Sequence, residues 1–283
     1  MDLKVRYINV NGTLLDLSVP KVMGIVNTTP DSFYPGSRYT DDESIIKAVL
    51  QMIIDGADII DVGGYSSRPG AQNISIDEEK NRVLKAIRSI NREFPDVIIS
   101  VDTFRAEIAK EAVLECGAGI INDISGGESD AKMFDYVREL EVPYILMHMQ
   151  GEPASMQKSP VYDDVVADIL RWFGERIYRL HSMGVKDIIL DPGFGFGKTA
   201  QDNFILLDRL SDFSIAGLPL LAGVSRKSMI WKTLETTPEG ALNGTTVLNT
   251  IALMNGCDIL RVHDVKEAVQ AVKLVEQLKK SVN

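Results

Sequence analysis

After its first twenty residues the chain repeats one pattern. A short apolar run ends in a polar or glycine-rich cluster, and a segment with apolar residues at helical spacing follows. The apolar runs occupy residues 22–26, 58–62, 97–101, 119–121, 143–147, 187–190, 218–222 and 258–262. They are short and rich in Val and Ile, as expected of strands buried on both faces of a parallel sheet. The helical segments have recognisable starts. Thr40-Asp-Asp-Glu43 and Ser75-Ile-Asp-Glu78 read as capping boxes, each ahead of an apolar stripe. The stripes are Ile45, Ile46, Val49 and Ile53 in the first, and Val83, Leu84, Ile87 and Ile90 in the second. Residues 105–116 carry Ile108, Ala112 and Val113 on one side. Residues 163–183 carry Val166, Ile169, Leu170, Phe173, Ile177 and Leu180, and stop at Gly184, a suitable C-terminal cap. A last helix from Lys266 carries Val269, Val272, Val275 and Leu278.

Eight strand–helix units with no linker between them predict a single domain, a closed (β/α)8 TIM barrel over residues 22–283. Ahead of it, residues 1–18 read as a β-hairpin turning at Asn11-Gly12. A doubly wound open sheet is disfavoured, because it needs a reversal of strand order and an opening glycine fingerprint that is missing. The 283 residues, 45% hydrophobic and 25% charged, fit one soluble α/β unit. A formal net charge of −10 argues against a nucleic-acid partner. No apolar run is long enough for a membrane span and no signal peptide is read at the start, so the expected location is cytoplasmic. Cys116 and Cys257 lack metal-ligand spacing and read as buried thiols.

In such barrels the chemistry sits where the strands end. The clusters there are Asn27-Thr-Thr-Pro-Asp-Ser-Phe33, Gly63-Gly-Tyr-Ser-Ser-Arg-Pro-Gly70, Asp102-Thr103, Asn122-Asp-Ile-Ser-Gly126, Met147-His-Met-Gln-Gly151, Asp191-Pro-Gly-Phe-Gly-Phe-Gly-Lys198, Gly223-Val-Ser-Arg-Lys-Ser228 and Arg261-Val-His-Asp264. One such cluster could be a helix cap; eight on one rim indicate a site. The ending Gly197-Lys198-Thr199 is not a nucleotide phosphate loop, since Pro192 stands where that motif needs glycine. Asp102, Asn122 and Asp191 form an acceptor-rich half that calls for a ligand edge rich in N–H donors. Met147, Phe194, Phe196 and the stem of Lys227 could cover the faces of such a ring. Arg261, His263 and Asn27 form a second half suited to phosphate or pyrophosphate, commonly with Mg²⁺. Pairing of Arg261 with Asp264 is the structural alternative, and His148 and His181 read as structural.

Seven of these motifs, in this order, resemble the dihydropteroate synthase family along nearly the whole chain after the hairpin. They are Asn27–Phe33, Ser67-Arg-Pro-Gly70, Ser100-Val-Asp-Thr103, Ile121–Gly126, Asp191–Lys198, Ser225-Arg-Lys-Ser228 and Arg261–Asp264. The resemblance implies a transferase of folate biosynthesis. It joins 4-aminobenzoate to 6-hydroxymethyl-7,8-dihydropterin pyrophosphate and releases pyrophosphate. It also implies that Asp102, Asn122, Asp191 and Lys227 hold the pterin, and that Arg261 and His263, with Asn27 and Mg²⁺, hold the pyrophosphate. Lys227, Arg261, His263 and Asp102 are then the expected catalytic residues, with Asp31 a further candidate. Phe33, Ser67, Arg68, Pro69 and Ser228 fall where the family closes two loops over the aminobenzoate, the site sulfonamides occupy. The family commonly has Glu and then Ser-Thr where this chain has Tyr65-Ser66-Ser67, a departure bearing on loop packing and inhibitor response. Residues 229–254 contain apolar helical segments that could form a homodimer face. A pterin-dependent methyltransferase and a non-catalytic pterin-binding regulator are the alternative functions.

Overall fold

The computed structural model describes residues 6–28, 42–65, 74–151 and 160–282. The opening hairpin pairs β1 (Tyr7–Val10) with β2 (Thr13–Asp16), Val10 opposite Thr13. Asn11 and Gly12 both have positive φ, 50° and 84°, which is what a two-residue turn matching strand twist requires.

Eight parallel strands follow: β3 (Lys21–Asn27), β4 (Ile59–Gly63), β5 (Ile98–Asp102), β6 (Ile120–Asp123), β7 (Tyr144–Met147), β8 (Ile188–Asp191), β9 (Leu221–Ala222) and β10 (Ile259–Val262). Their order, β8-β7-β6-β5-β4-β3-β10-β9, closes into a barrel where Leu190 bridges Leu220. The seam is thin. The sequence predicts a strand over 218–222, and only Leu221–Ala222 form one. Pro219 explains this, because it has no N–H for the ladder; its carbonyl instead accepts from Leu190 N at 2.8 Å.

The helices are α1 (Asp42–Asp55), α2 (Ile76–Glu93), α3 (Ala106–Cys116), α4 (Met133–Leu140), α5 (Val165–Ser182), α6 (Ala200–Asp208), α7 (Ser228–Thr233), α8 (Leu242–Met254) and α9 (Val265–Val282). Every expected stripe residue of α2 is buried. In α1, Ile45 and Val49 are buried, Ile46 and Ile53 half-buried, and Met52 joins them. Leu278, expected in the last stripe, is instead exposed. Of the two expected capping boxes, Thr40 lies outside the described residues. Ser75 caps α2 by accepting from Glu78 N at 3.1 Å, while the Glu78 carboxylate turns to Arg82. A reciprocal box forms at Thr199 and Asp202, ahead of α6.

Two apolar layers result. The larger lies between strands and helices. The smaller fills the bottom of the barrel with Met23, Ile59, Ile120, Ile145, Ile189, Leu221 and Ile259, and with Ile98 half-buried beside them. Ile8, Val10 and Leu17 of the hairpin complete this layer, so the hairpin is a plug. Arg6 ties it down through Leu218 O at 3.0 Å and Asp258 at 2.5 Å. With the bottom sealed by apolar side chains, polar groups on the inner face are left to the open end. Ile8→Ala should cost about 2–5 kcal/mol, a buried isoleucine truncated where the barrel floor cannot collapse. Urea unfolding measures it, and a loss under about 0.5 kcal/mol would show that the plug carries no load.

Candidate active site

Strand register lines up the polar ends. Asp102 of β5 is level with Gly63 of β4 and Asn122 of β6; Met147 of β7 is level with Asp191 of β8. Asp61, unremarked in the sequence, lies two residues before Gly63 and therefore on the same inner face, one layer deeper. Arg261 from β10 reaches across this group. Its Nε donates to Asp61 Oδ2 and its Nη2 to Asp102 Oδ2, both at 2.6 Å. Asn122 Nδ2 donates to the same Asp61 oxygen at 3.1 Å. Arg261 is thus held among carboxylates and does not pair with Asp264. That partner belongs to Arg226, whose Nε and Nη2 donate to it at 2.8 and 2.7 Å.

The electrostatics follow from burial. Burial pushes the Asp102 carboxyl up to about 7; Arg261 opposes the shift and Asp61 adds to it. Asp191 is also raised by burial, against Lys227, the Gly193 N–H and Arg261. Burial works against the Arg261 charge, yet Asp61 and Asp102 outweigh it and keep the guanidinium protonated. Lys227 is lowered to about 8, chiefly by burial, with Asp191 resisting. Lys227 acts on both Asp191 and His263, so the acidic and basic halves meet at one end of the barrel.

The glycine loop after β8 is built around Lys198, the residue that closes the Asp191–Lys198 motif. Lys198 is buried. Its Nζ lies 3.0 Å from each of Gly193 O, Phe196 O and His148 Nδ1. Burial lowers its pKa to about 7, but three acceptors at that distance suit an ammonium. Gly193 and Gly197 have φ of 71° and 61°, and a Cβ on them would lie 2.0 Å from His148 O and 2.3 Å from Gln150 O. Only glycine fits so tight a loop. Asp191 Oδ1 accepts from Gly193 N at 2.8 Å. Lys227 donates to Phe194 O and its Nζ lies 4.7 Å from the Phe196 ring centre.

An apolar wall stands beside these groups: Ile124, Met147 and Met149, with Phe104 and Phe196 half-buried against them. Phe194, expected with Phe196, is instead buried in the layer between strands and helices. Tyr65 meets Phe104 edge-on at 4.9 Å, with the Arg105 guanidinium 5.8 Å from its ring. Arg105 pairs with buried Glu79 at 3.0 Å.

At the basic end, His263 follows β10 and Asn27 ends β3; these two strands pair. His263 is lowered to about 3 by burial and by Arg261, Arg226 and Lys227, so it is neutral at physiological pH. Its Nδ1 lies 2.9 Å from Ser225 Oγ, and its backbone N donates to the same oxygen at 3.2 Å. Ser228 begins α7 directly after Lys227. Phe33, Ser67, Arg68, Pro69 and Asp31 lie outside the described residues. Among the described residues there is no cluster of three His, Cys, Asp or Glu that could hold a metal.

Comparison with known proteins adds a second line. A sequence profile described as pterin binding enzyme matches residues 23–263. Dihydropteroate synthase of Escherichia coli (strain K12) is 47% identical over 267 residues, 94% of this chain and 94% of that one. The Yersinia pestis dihydropteroate synthase, in a crystal structure with a sulfonamide drug complex, superposes with a TM-score of 0.93. It is 41% identical, covering 98% of this chain and 100% of that chain. Xanthomonas albilineans dihydropteroate synthase with 4-aminobenzoic acid gives a TM-score of 0.88 at 38% identity, covering 98% and 99%.

Lys198→Met should destabilise the chain by on the order of 3 kcal/mol, because it removes the donor shared by buried acceptors. Thermal and urea unfolding test this. A change within about 0.5 kcal/mol would mean the loop does not depend on the cage.

Proposed function

The chain belongs to the dihydropteroate synthase family of pterin binding enzymes, and from this premise we propose how its barrel mouth performs the synthase reaction. The substrates are 6-hydroxymethyl-7,8-dihydropterin pyrophosphate and 4-aminobenzoate; the products are 7,8-dihydropteroate and pyrophosphate. The observation that carries the reading is the imbalance of the mouth. Asp102, Asn122 and Asp191 present acceptors beside an apolar wall. Arg261 already serves both Asp61 and Asp102. A flat ring with a guanidine-like edge supplies the missing donors, and Met147 and Phe196 lie where its faces need cover.

The pyrophosphate leaves from a carbon attached to the electron-rich ring, so bond breaking leaves a delocalised cation. What helps is stabilisation of both charges and a firm grip on the ring, with no strong base. Asp102, ionised, faces the developing cation. Arg261 and His263 serve the departing anion, one as a fixed charge and the other as a neutral donor. Ser225 serves the second role: its oxygen accepts from His263 N and lies 2.9 Å from Nδ1, and donation of its hydroxyl proton to Nδ1 would leave the ring proton on Nε2. The arylamine of 4-aminobenzoate is a neutral nucleophile at pH 7 and needs only placement. Phe33, Ser67, Arg68, Pro69 and Ser228 are the residues for that placement, by the family resemblance.

Asn27 offers Mg²⁺ one amide oxygen near the basic end. An ion that keeps its waters and takes phosphate oxygens suits such a sparse protein donor set. When bound, Mg²⁺ would supply positive charge to the pyrophosphate. A homodimer rests on the apolar side chains left exposed on α6 and α8: Phe204, Ile205, Val247, Ile251 and Met254. Two unpaired buried thiols, Cys116 and Cys257, fit a cytoplasmic setting. Among the described residues no helix is long and apolar enough to cross a membrane.

The direct test is pyrophosphate release from the pterin substrate with Mg²⁺. Release that requires 4-aminobenzoate is expected. Binding of pterin without such release would favour the regulator, and methyl transfer from methyltetrahydrofolate would favour the methyltransferase. Asp191→Ala should lose bare-pterin affinity by on the order of 2–3 kcal/mol in calorimetry. His263→Ala should leave bare-pterin binding alone and raise KM for the pyrophosphate substrate. Unchanged pterin affinity in the Asp191 variant would contradict its anchoring role.

A further inference from the structure

We infer that Asp61 is a positioning residue: it orients the Asn122 amide so that the oxygen is presented beside Asp102 to the pterin edge. The inference rests on reading the mouth as a pterin pocket, and goes beyond it by assigning a role to a side chain beneath that pocket.

Asp61 is fully buried on the inner face of β4. Its Oδ2 receives two donors, Arg261 Nε at 2.6 Å and Asn122 Nδ2 at 3.1 Å. A carboxylate paired with an arginine only accepts. It therefore captures the donating end of the Asn122 amide, and the accepting end must diverge from it. Asn122 and Asp102 are level on adjacent strands, so the diverging oxygen joins the acceptors of the mouth. The reverse amide orientation would set an NH₂ group against the donors of Arg261 and of the ring.

The partners of Asp61 do not fully satisfy it. Its Oδ1 and the Oγ of its register neighbour Ser100 are both buried with no hydrogen-bond partner among the described residues. A buried carboxylate with one oxygen unsatisfied carries a cost to the fold, and removing it alone would take one of two acid partners from Arg261. An apolar side chain in its place cannot distinguish the two ends of an amide.

The test is a double-mutant cycle of Asp61→Leu and Asn122→Ala, read by calorimetry with 6-hydroxymethylpterin lacking pyrophosphate. Asp61→Leu should weaken binding about tenfold. In the Asn122→Ala background the same substitution should change affinity by less than about twofold. Equal losses in both backgrounds would overturn the inference, since a general disturbance of the barrel acts whatever stands at position 122. If Asp61→Leu does not fold, Asn122→Asp asks the question from the other side. It keeps the oxygen but loses the N–H on Asp61, so pterin affinity should fall relative to the original chain at high pH. The deficit should shrink as pH drops and a proton shared by the two carboxyls replaces the lost N–H. A deficit independent of pH would count against the assignment. Failure of the unaltered chain to bind the pterin at all would sink the pocket reading itself, a separable outcome.

Discussion

The rest of this structure is arranged around carboxylates buried in the mouth of a closed parallel barrel. Asp61, Asp102 and Asp191 point into an interior from which solvent is largely excluded, and Arg261 and Lys227 are the cations that reach them. Charge in such a place is costly unless paired. The pairing is incomplete, since Arg261 divides its guanidinium between two acids. In the proposed function, this shortfall is what a donor-rich ring would make good. It also accounts for how much of the surrounding architecture is tied down by side-chain contacts. The hairpin seals the floor, Lys198 cages the glycine loop, and Asp123 ties the loop after β6 through Ser125, Gly127 and Tyr144. A site that binds by fixed dipoles gains only if those dipoles do not have to be reorganised when the ligand arrives.

Much of the frame was legible in the sequence because burial on both faces leaves an unambiguous mark. The strand Tyr144–Met147 reads as a continuous apolar run, and all four expected stripe residues of α2 are buried. What escaped has physical reasons. Helices α4 and α7, of eight and six residues, are too short to show a period. The last strand pairing depends on a bridge beside Pro219, which no local pattern announces.

The site was legible as residue types and less so as partnerships. Asp102, Asn122, Asp191 and Arg261 stand out by their positions at or near strand ends, and the structure brings them to one end of the barrel. Their arrangement depends on Asp61, an acid in the middle of the run Ile59-Ile60-Asp61-Val62. That interruption was the available signal, since a lone carboxylate in an apolar strand must find a buried partner. Arg226 and Arg261 offered two guanidiniums for Asp264, and only the fold decides which takes it; Arg226 does so from a backbone with φ of 53°. Phe194 and Phe196 lie two residues apart in the same loop, yet one faces the helices and the other the mouth. Loop geometry of that kind is set by positive-φ glycines and has no periodic signature.

The central claim is that the mouth holds a carboxylate, Asp102, kept partly protonated by burial until a ligand's N–H groups compensate it. Proton exchange on ligand binding tests this most directly, by calorimetry of bare pterin at pH 7 in buffers of different ionisation enthalpy. With the Asp102 pKa near 7, and the ionised form favoured by the ring's donors, binding should release about half a proton at pH 7. Release should fade by about pH 9, where the group is already ionised, and be lost in Asp102→Asn. Binding with no proton release at pH 7, or with uptake, would contradict the picture of a donor-starved mouth.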